Sequence, residues 1–158
     1  MSNTPDRIEK LVNLDAPQSR VWKALTDVKQ FNQWFGVSLN GAFTPGAAVS
    51  GSLTSPKYSH LTFTLWVESV EPERLFSFRW HPYAMDEGVE YSQEPTTLVT
   101  FLLEQSGSGT QLKITESGFD AIPESRRAKA FSANSGGWDA QAKNIQKFVE
   151  SNAQGSLE

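Results

Sequence analysis

The residues with the most chemistry to offer fall in one stretch, Arg79-Trp80-His81-Pro82-Tyr83, followed by Asp86, Glu90, Tyr91 and Glu94. An imidazole titrates near neutral pH and can orient or protonate a bound molecule. A functional His81 would therefore stand at the mouth of a cavity, where it could orient or protonate a ligand. The plainer alternative is a solvated acidic loop with one surface histidine. Asp86 and Glu90 are too loop-bound to serve as an acid–base pair. Serine-type acyl transfer has no support, because no Gly-x-Ser-x-Gly elbow occurs and neither His60 nor His81 has a recognisable serine partner. With no cysteine and only these two histidines, thiolate nucleophiles, disulfides and thiolate metal sites are excluded, and zinc would have to lean on carboxylates. The expectation is no catalytic residue, no metal and no cofactor.

Other motifs dissolve on inspection. Glycines 36, 41, 46 and 51 recur every five residues, but a phosphate-binding loop needs Lys and then Ser or Thr after its second glycine. Here Ala42, Ala47 and Ser52 follow, so short strands broken by turns such as Thr44-Pro45-Gly46 explain the spacing better. Arg126-Arg127 with Lys129 is the one tight basic cluster; it reads as the solvated face of a helix, the alternative being an interaction patch for an acidic partner. Fourteen basic against eighteen acidic residues leave a net charge of −4. That balance argues against nucleic acid and against an anionic membrane surface as partners. No apolar run approaches a membrane span, and the N-terminus lacks the apolar core of a secretory signal, so a cytoplasmic location without membrane insertion is expected.

The elements that must position these residues follow from periodicity. At 158 residues the chain suits one domain, large enough to bury roughly two-thirds of its surface. Ile8, Lys10, Val12 and Leu14 alternate with Glu9, Leu11 and Asn13 in a first strand. Asp15 is the expected N-cap of a helix carrying Val21, Trp22, Leu25 and Val28, and a second short helix holds Phe31, Trp34 and Phe35 and stops at Gly36. One or two short strands fill 37–54. The strongest strand signal is His60–Val70, with Leu61, Phe63, Leu65 and Val67 on one face and Thr62, Thr64, Trp66 and Glu68 on the other. Strands Arg74–Trp80, Thr96–Glu104 and Gln111–Glu116 follow, with a long polar loop over 81–95 and a flexible hairpin at 106–110. Trp138, Ala142, Ile145 and Val149 then mark a long amphipathic helix, within which Gly136-Gly137 is either a break or a point of close approach. A sheet with one apolar face needs a cover, and this last helix is the only long one available. The fold class is α+β, a curved antiparallel sheet wrapped around a long C-terminal helix, with two short helices after the first strand.

Ten Phe, five Trp and three Tyr give this fold an aromatic surplus. Trp22, Trp34 and Trp138 sit on helical faces and read as packing. Trp66, Phe78, Trp80, Phe101 and Phe119 fall on or beside the strands that would line a cavity, and flat rings suit apolar ligands. Together with His81 they are the candidate ligand-binding residues.

These elements and several local motifs resemble the START-like (SRPBCC) superfamily, in the branch related to the activator of Hsp90 ATPase. The resemblance rests on Ala16-Pro17 with Val21–Asp27 (Val-Trp-Lys-Ala-Leu-Thr-Asp), Trp34-Phe35-Gly36, Val70–Trp80 (Val-Glu-Pro-Glu-Arg-Leu-Phe-Ser-Phe-Arg-Trp), Thr97–Phe101, Gly109–Leu112, Thr115–Phe119 and Gly137-Trp138. It covers essentially residues 6–150 as a single domain, leaving 1–5 and 151–158 as flexible termini. It implies a helix-grip fold around an apolar cavity. The superfamily includes lipid and hormone carriers, polyketide cyclases and a chaperone-activating domain, so the fold alone does not choose among them. The leading expectation is non-enzymatic binding of a small apolar or amphipathic ligand between sheet and C-terminal helix. The alternatives are a co-chaperone-like domain with a chaperone as partner, and a cyclase- or hydrolase-type enzyme using His81.

Overall fold

A computed structural model describes residues 6–54, 62–82 and 94–155. The expectations for His60, Tyr83, Asp86, Glu90 and Tyr91 lie outside those residues. Along the chain run β1 (Arg7–Leu14), α1 (Gln18–Thr26), α2 (Val28–Phe35), β2 (Val37–Asn40), β3 (Ala48–Leu53), β4 (Thr62–Glu71), β5 (Leu75–Trp80), β6 (Thr97–Ser106) and β7 (Gly109–Ser117). A 3-10 turn (Phe119–Ala121) and α3 (Glu124–Gly155) complete the series. The seven strands form one curved, unclosed antiparallel sheet in the order β1-β7-β6-β5-β4-β3-β2, and α3 packs against its inner face.

The register explains which face is which. Directly opposed residues share a face, and the rows Phe78–Val99–Glu116–Ile8 and Phe76–Phe101–Ile114–Lys10 cross from β5 to β1. Six of the eight members of these rows are apolar and buried, so this is the inner face. In β1, Ile8, Val12 and Leu14 are buried while Leu11 is 63% exposed, as the alternation requires. In β4, Leu65 and Val67 point inward and Trp66 outward, until a bulge between Val67 and Ser69 shifts the phase and returns Val70 opposite Phe76. The hairpin between β6 and β7 is tighter than the sequence suggests. Ser106 pairs with Gly109 across a two-residue loop, and Gly107 takes the positive φ of 61° that such loops demand.

The helices depart from expectation in two details. Asp15 does not cap α1: the N-cap is Pro17, which offers no side-chain acceptor, and the Asp15 amide instead donates to Glu150 Oε2 at the far end of α3. Asp27 is the working cap, accepting from Lys29 N at the start of α2, and Gly36 ends that helix in the left-handed region (φ 84°). Gly136-Gly137 does not break the last helix, which continues without interruption past residue 150 to Gly155. Both glycines are exposed, and a Cβ at either would meet nothing within 4 Å. By contrast, a Cβ on Gly51 would lie 2.0 Å from the Ser38 carbonyl oxygen, because β2 and β3 approach closely there.

These contrasts give two expected outcomes in urea unfolding. Gly51→Ala loses about 1–3 kcal/mol, since backbone must move to admit the methyl group. Gly137→Ala gains roughly 0.5–1 kcal/mol, since only helix propensity changes.

Candidate functional site

The site grows from one in-phase substitution. Along β7 the inward positions run Leu112, Ile114 and then Glu116, so strand alternation carries a carboxylate into the apolar row. Its register partners are Val99 and Ile8, and Glu116 is 0% exposed. A buried carboxylate is tolerated only when its lone pairs are filled. Trp80 Nε1 donates to Oε2 at 2.8 Å and Thr97 Oγ1 to the same oxygen at 2.5 Å. Trp138 Nε1 donates to Oε1 at 2.8 Å, and Asn134 Nδ2 reaches both oxygens at 3.0 Å. Every partner is a neutral donor, the complement that an acceptor-only carboxylate needs. Asn134 and Trp138 are four residues apart, and that spacing sets them on one face of α3. Trp80 and Thr97 are cross-strand neighbours on β5 and β6. One carboxylate thus ties the sheet to its helix.

The indoles it holds belong to an aromatic wall. Trp80 and Trp138 stack with centroids 5.7 Å apart and planes at 30°. Phe35, at the end of α2, meets both edgewise at 6.0 Å, and Gln141 fixes that helix end by donating to the Phe35 carbonyl at 2.9 Å. Behind them Phe78 and Phe101 lie 5.9 Å apart, fully buried, with Phe101 also 5.8 Å from Trp138. Trp80 and Phe35 remain half-buried. Large flat surfaces, a polar group beneath them and partial access make a suitable surface for an amphipathic molecule.

The six candidates therefore separate. Phe78, Trp80 and Phe101 come together on the inner face. Trp66 does not join them: it is 39% exposed on the outer face, where it pairs with Arg79. The His81 ring packs against this outer tryptophan at 5.5 Å, edge to face, rather than against the Trp80 cluster. Phe119 is fully buried in the 3-10 turn and finds its ring partner in Phe131 of α3, 5.1 Å away. Arg126 is not part of a solvated basic face, because its guanidinium binds Glu94 at 2.8 Å and the Pro82 carbonyl at 2.9 Å. Sequence reasoning passed over Glu116, Asn134 and Phe35. The signal was present for Glu116, a lone acid in phase with buried apolar residues.

A pocket of about 240 Å³ lies at the opposite end of β7, between Asn13, Asp15, the β6–β7 hairpin and Glu150. Among the described residues no group of three or more His, Cys, Asp or Glu side chains is placed to hold a metal, and no helix is long and apolar enough to cross a membrane.

Removing the hub carboxylate strands several buried donors at once. Glu116→Ala is expected to lose on the order of 3 kcal/mol in urea unfolding, at about 1–3 kcal/mol per unsatisfied group. Glu116→Gln, which keeps shape and one acceptor, is expected to lose less.

Comparison with known proteins places this geometry. The solved structure of DynU16, from the dynemicin biosynthetic locus, is 26% identical with a TM-score of 0.69; the match covers 93% of this chain and 48% of that one. This chain therefore spans about half the length of that relative. CalU16 from Micromonospora echinospora is 22% identical with a TM-score of 0.65, covering 90% of this chain and 73% of that one. The Aha1 dimer from Colwellia psychrerythraea is 14% identical with a TM-score of 0.68, covering 91% and 96%. No curated protein sequence matches significantly. The model of the activator of Hsp90 ATPase homolog 1-like family matches residues 15–150, from the start of α1 through most of α3, and the chain belongs to that family.

Proposed function

We propose that this protein binds a small apolar or amphipathic molecule against the aromatic wall between the sheet and α3, without catalysing a reaction on it. The observation that carries this reading is the half-buried Trp80–Phe35 surface, stacked on Trp138 and set over a buried polar hub. The likeness to DynU16, a protein of the dynemicin biosynthetic locus, adds support. An enzyme built on His81 is less well supported, because that ring rests on Trp66 and not on the aromatic wall.

The second reading, a co-chaperone role, draws on the family description and on the Colwellia Aha1 relative. A chaperone ATPase assay separates the two: stimulation by this protein would support the second reading, and no change would reject it.

The test of the first reading is a thermal-shift and native mass-spectrometry screen against lipids and aromatic metabolites. At least one compound is expected to bind with one-to-one stoichiometry. Trp80→Ala should weaken that compound at least about tenfold, a loss typical of an aromatic anchor. Trp66→Ala, on the outer face, should leave its affinity unchanged. A screen without binders, or equal losses from both variants, would reject the reading.

A further inference from the structure

We propose that the aromatic wall selects its ligand by charge, accepting cationic or neutral head groups and turning away anionic ones, with Glu116 setting the sign. The inference rests on the ligand-binding reading above and adds the chemical class of the ligand. Glu116 brings a negative charge to the inner face behind the aromatic wall, and each of its hydrogen-bond partners is neutral. Donors of this kind satisfy the lone pairs but leave the net charge in place. Two cations near α3 are engaged elsewhere: Lys10 pairs with Asp139 at 3.1 Å and Arg126 with Glu94 at 2.8 Å.

The rings reinforce the same sign. Trp80, Trp138 and Phe35 converge within 6.0 Å of one another. Aromatic faces attract cations through their quadrupole, most strongly for indole. Both indole N–H groups are turned onto the carboxylate, and Trp138 is buried under Trp80, so what the part-exposed Trp80 and Phe35 have left for a ligand is ring surface rather than a donor. The carboxylate is one hydrogen bond from the Trp80 ring, so a head group laid on that ring comes within about 10 Å of it. At an effective dielectric near 20, one unit charge at that distance changes affinity about tenfold.

The experiment uses the full chain and three probes that share one ring system: 2-naphthylethylammonium, 2-naphthylethanol and 2-naphthylacetate, titrated by isothermal calorimetry at low and moderate salt. The wild-type protein is expected to bind the ammonium at least about tenfold tighter than the acetate, with the alcohol between. In Glu116→Gln the ratio of ammonium to acetate affinity should shrink to about twofold, a ratio in which any loss common to all three probes from a disturbed wall cancels. Acetate binding as tight as ammonium binding would overturn the charge selection and leave the ligand-binding reading standing. Binding of none of the three, together with a screen without binders, would overturn both. The wild-type ranking needs no variant, so the proposal stays testable if Glu116→Gln does not fold; a folded Glu116→Gln with the full gap intact would remove Glu116 from the role.

Discussion

The hydrogen bonds converging on Glu116 are where sheet, helix and aromatic wall meet. Trp80 and Thr97 reach it from the sheet and Asn134 and Trp138 from α3, so the docking of helix on sheet is specified by direction as well as by apolar area. Hydrophobic burial alone is indifferent to small slides of a helix along a sheet. Several directed bonds to one buried charge are not, because a slide of one turn would carry Asn134 and Trp138 away and leave Oε1 and the Trp138 indole N–H without partners. The interaction therefore acts on register more than on raw stability.

The same bonds fix the posture of the aromatic residues. An indole held by its N–H has little freedom to rotate about its outer torsion, so Trp80 and Trp138 are stacked with each other instead of filling space at random. Phe35 closes against both only because Asp27 and Gly36 set the limits of α2 and Gln141 holds its end. A wall of this kind is preorganised, and a ligand that meets it loses less entropy on binding than one that must order the rings itself.

Much of this arrangement was legible in the sequence. Alternation placed Ile8, Val12, Leu65 and Val67 on their faces, and Gly36 marked the end of α2, because these depend on local period and local φ. The residues that escaped notice depend on what lies across the sheet. Trp66 and Trp80 are both candidates by sequence, each aromatic on a strong strand, and it is the pairing of Trp66 with Arg79 that sets it on the face opposite Trp80. Glu116 looked like one acid among many until Ile8 and Val99 appeared beside it. His81 was read by its chemistry, whereas its placement is decided by Trp66, a neighbour fifteen residues earlier in the chain. Asp15 carried a good capping side chain, but the helix began two residues later than a cap at that position would need.

The paired glycines of α3 sit between Asn134 and Trp138, the two helical residues that grip the carboxylate. Nothing in the packing demands them there, since neither approaches another backbone. Glycine raises the cost of holding a helix together, so this turn is the natural place for transient opening, within an element otherwise pinned along its length. Its amides should exchange with solvent ahead of those on either side. The helix that closes over the sheet thus carries its softest turn at the point of grip, which offers a route by which the two sides of the wall can part and rejoin without the fold coming undone.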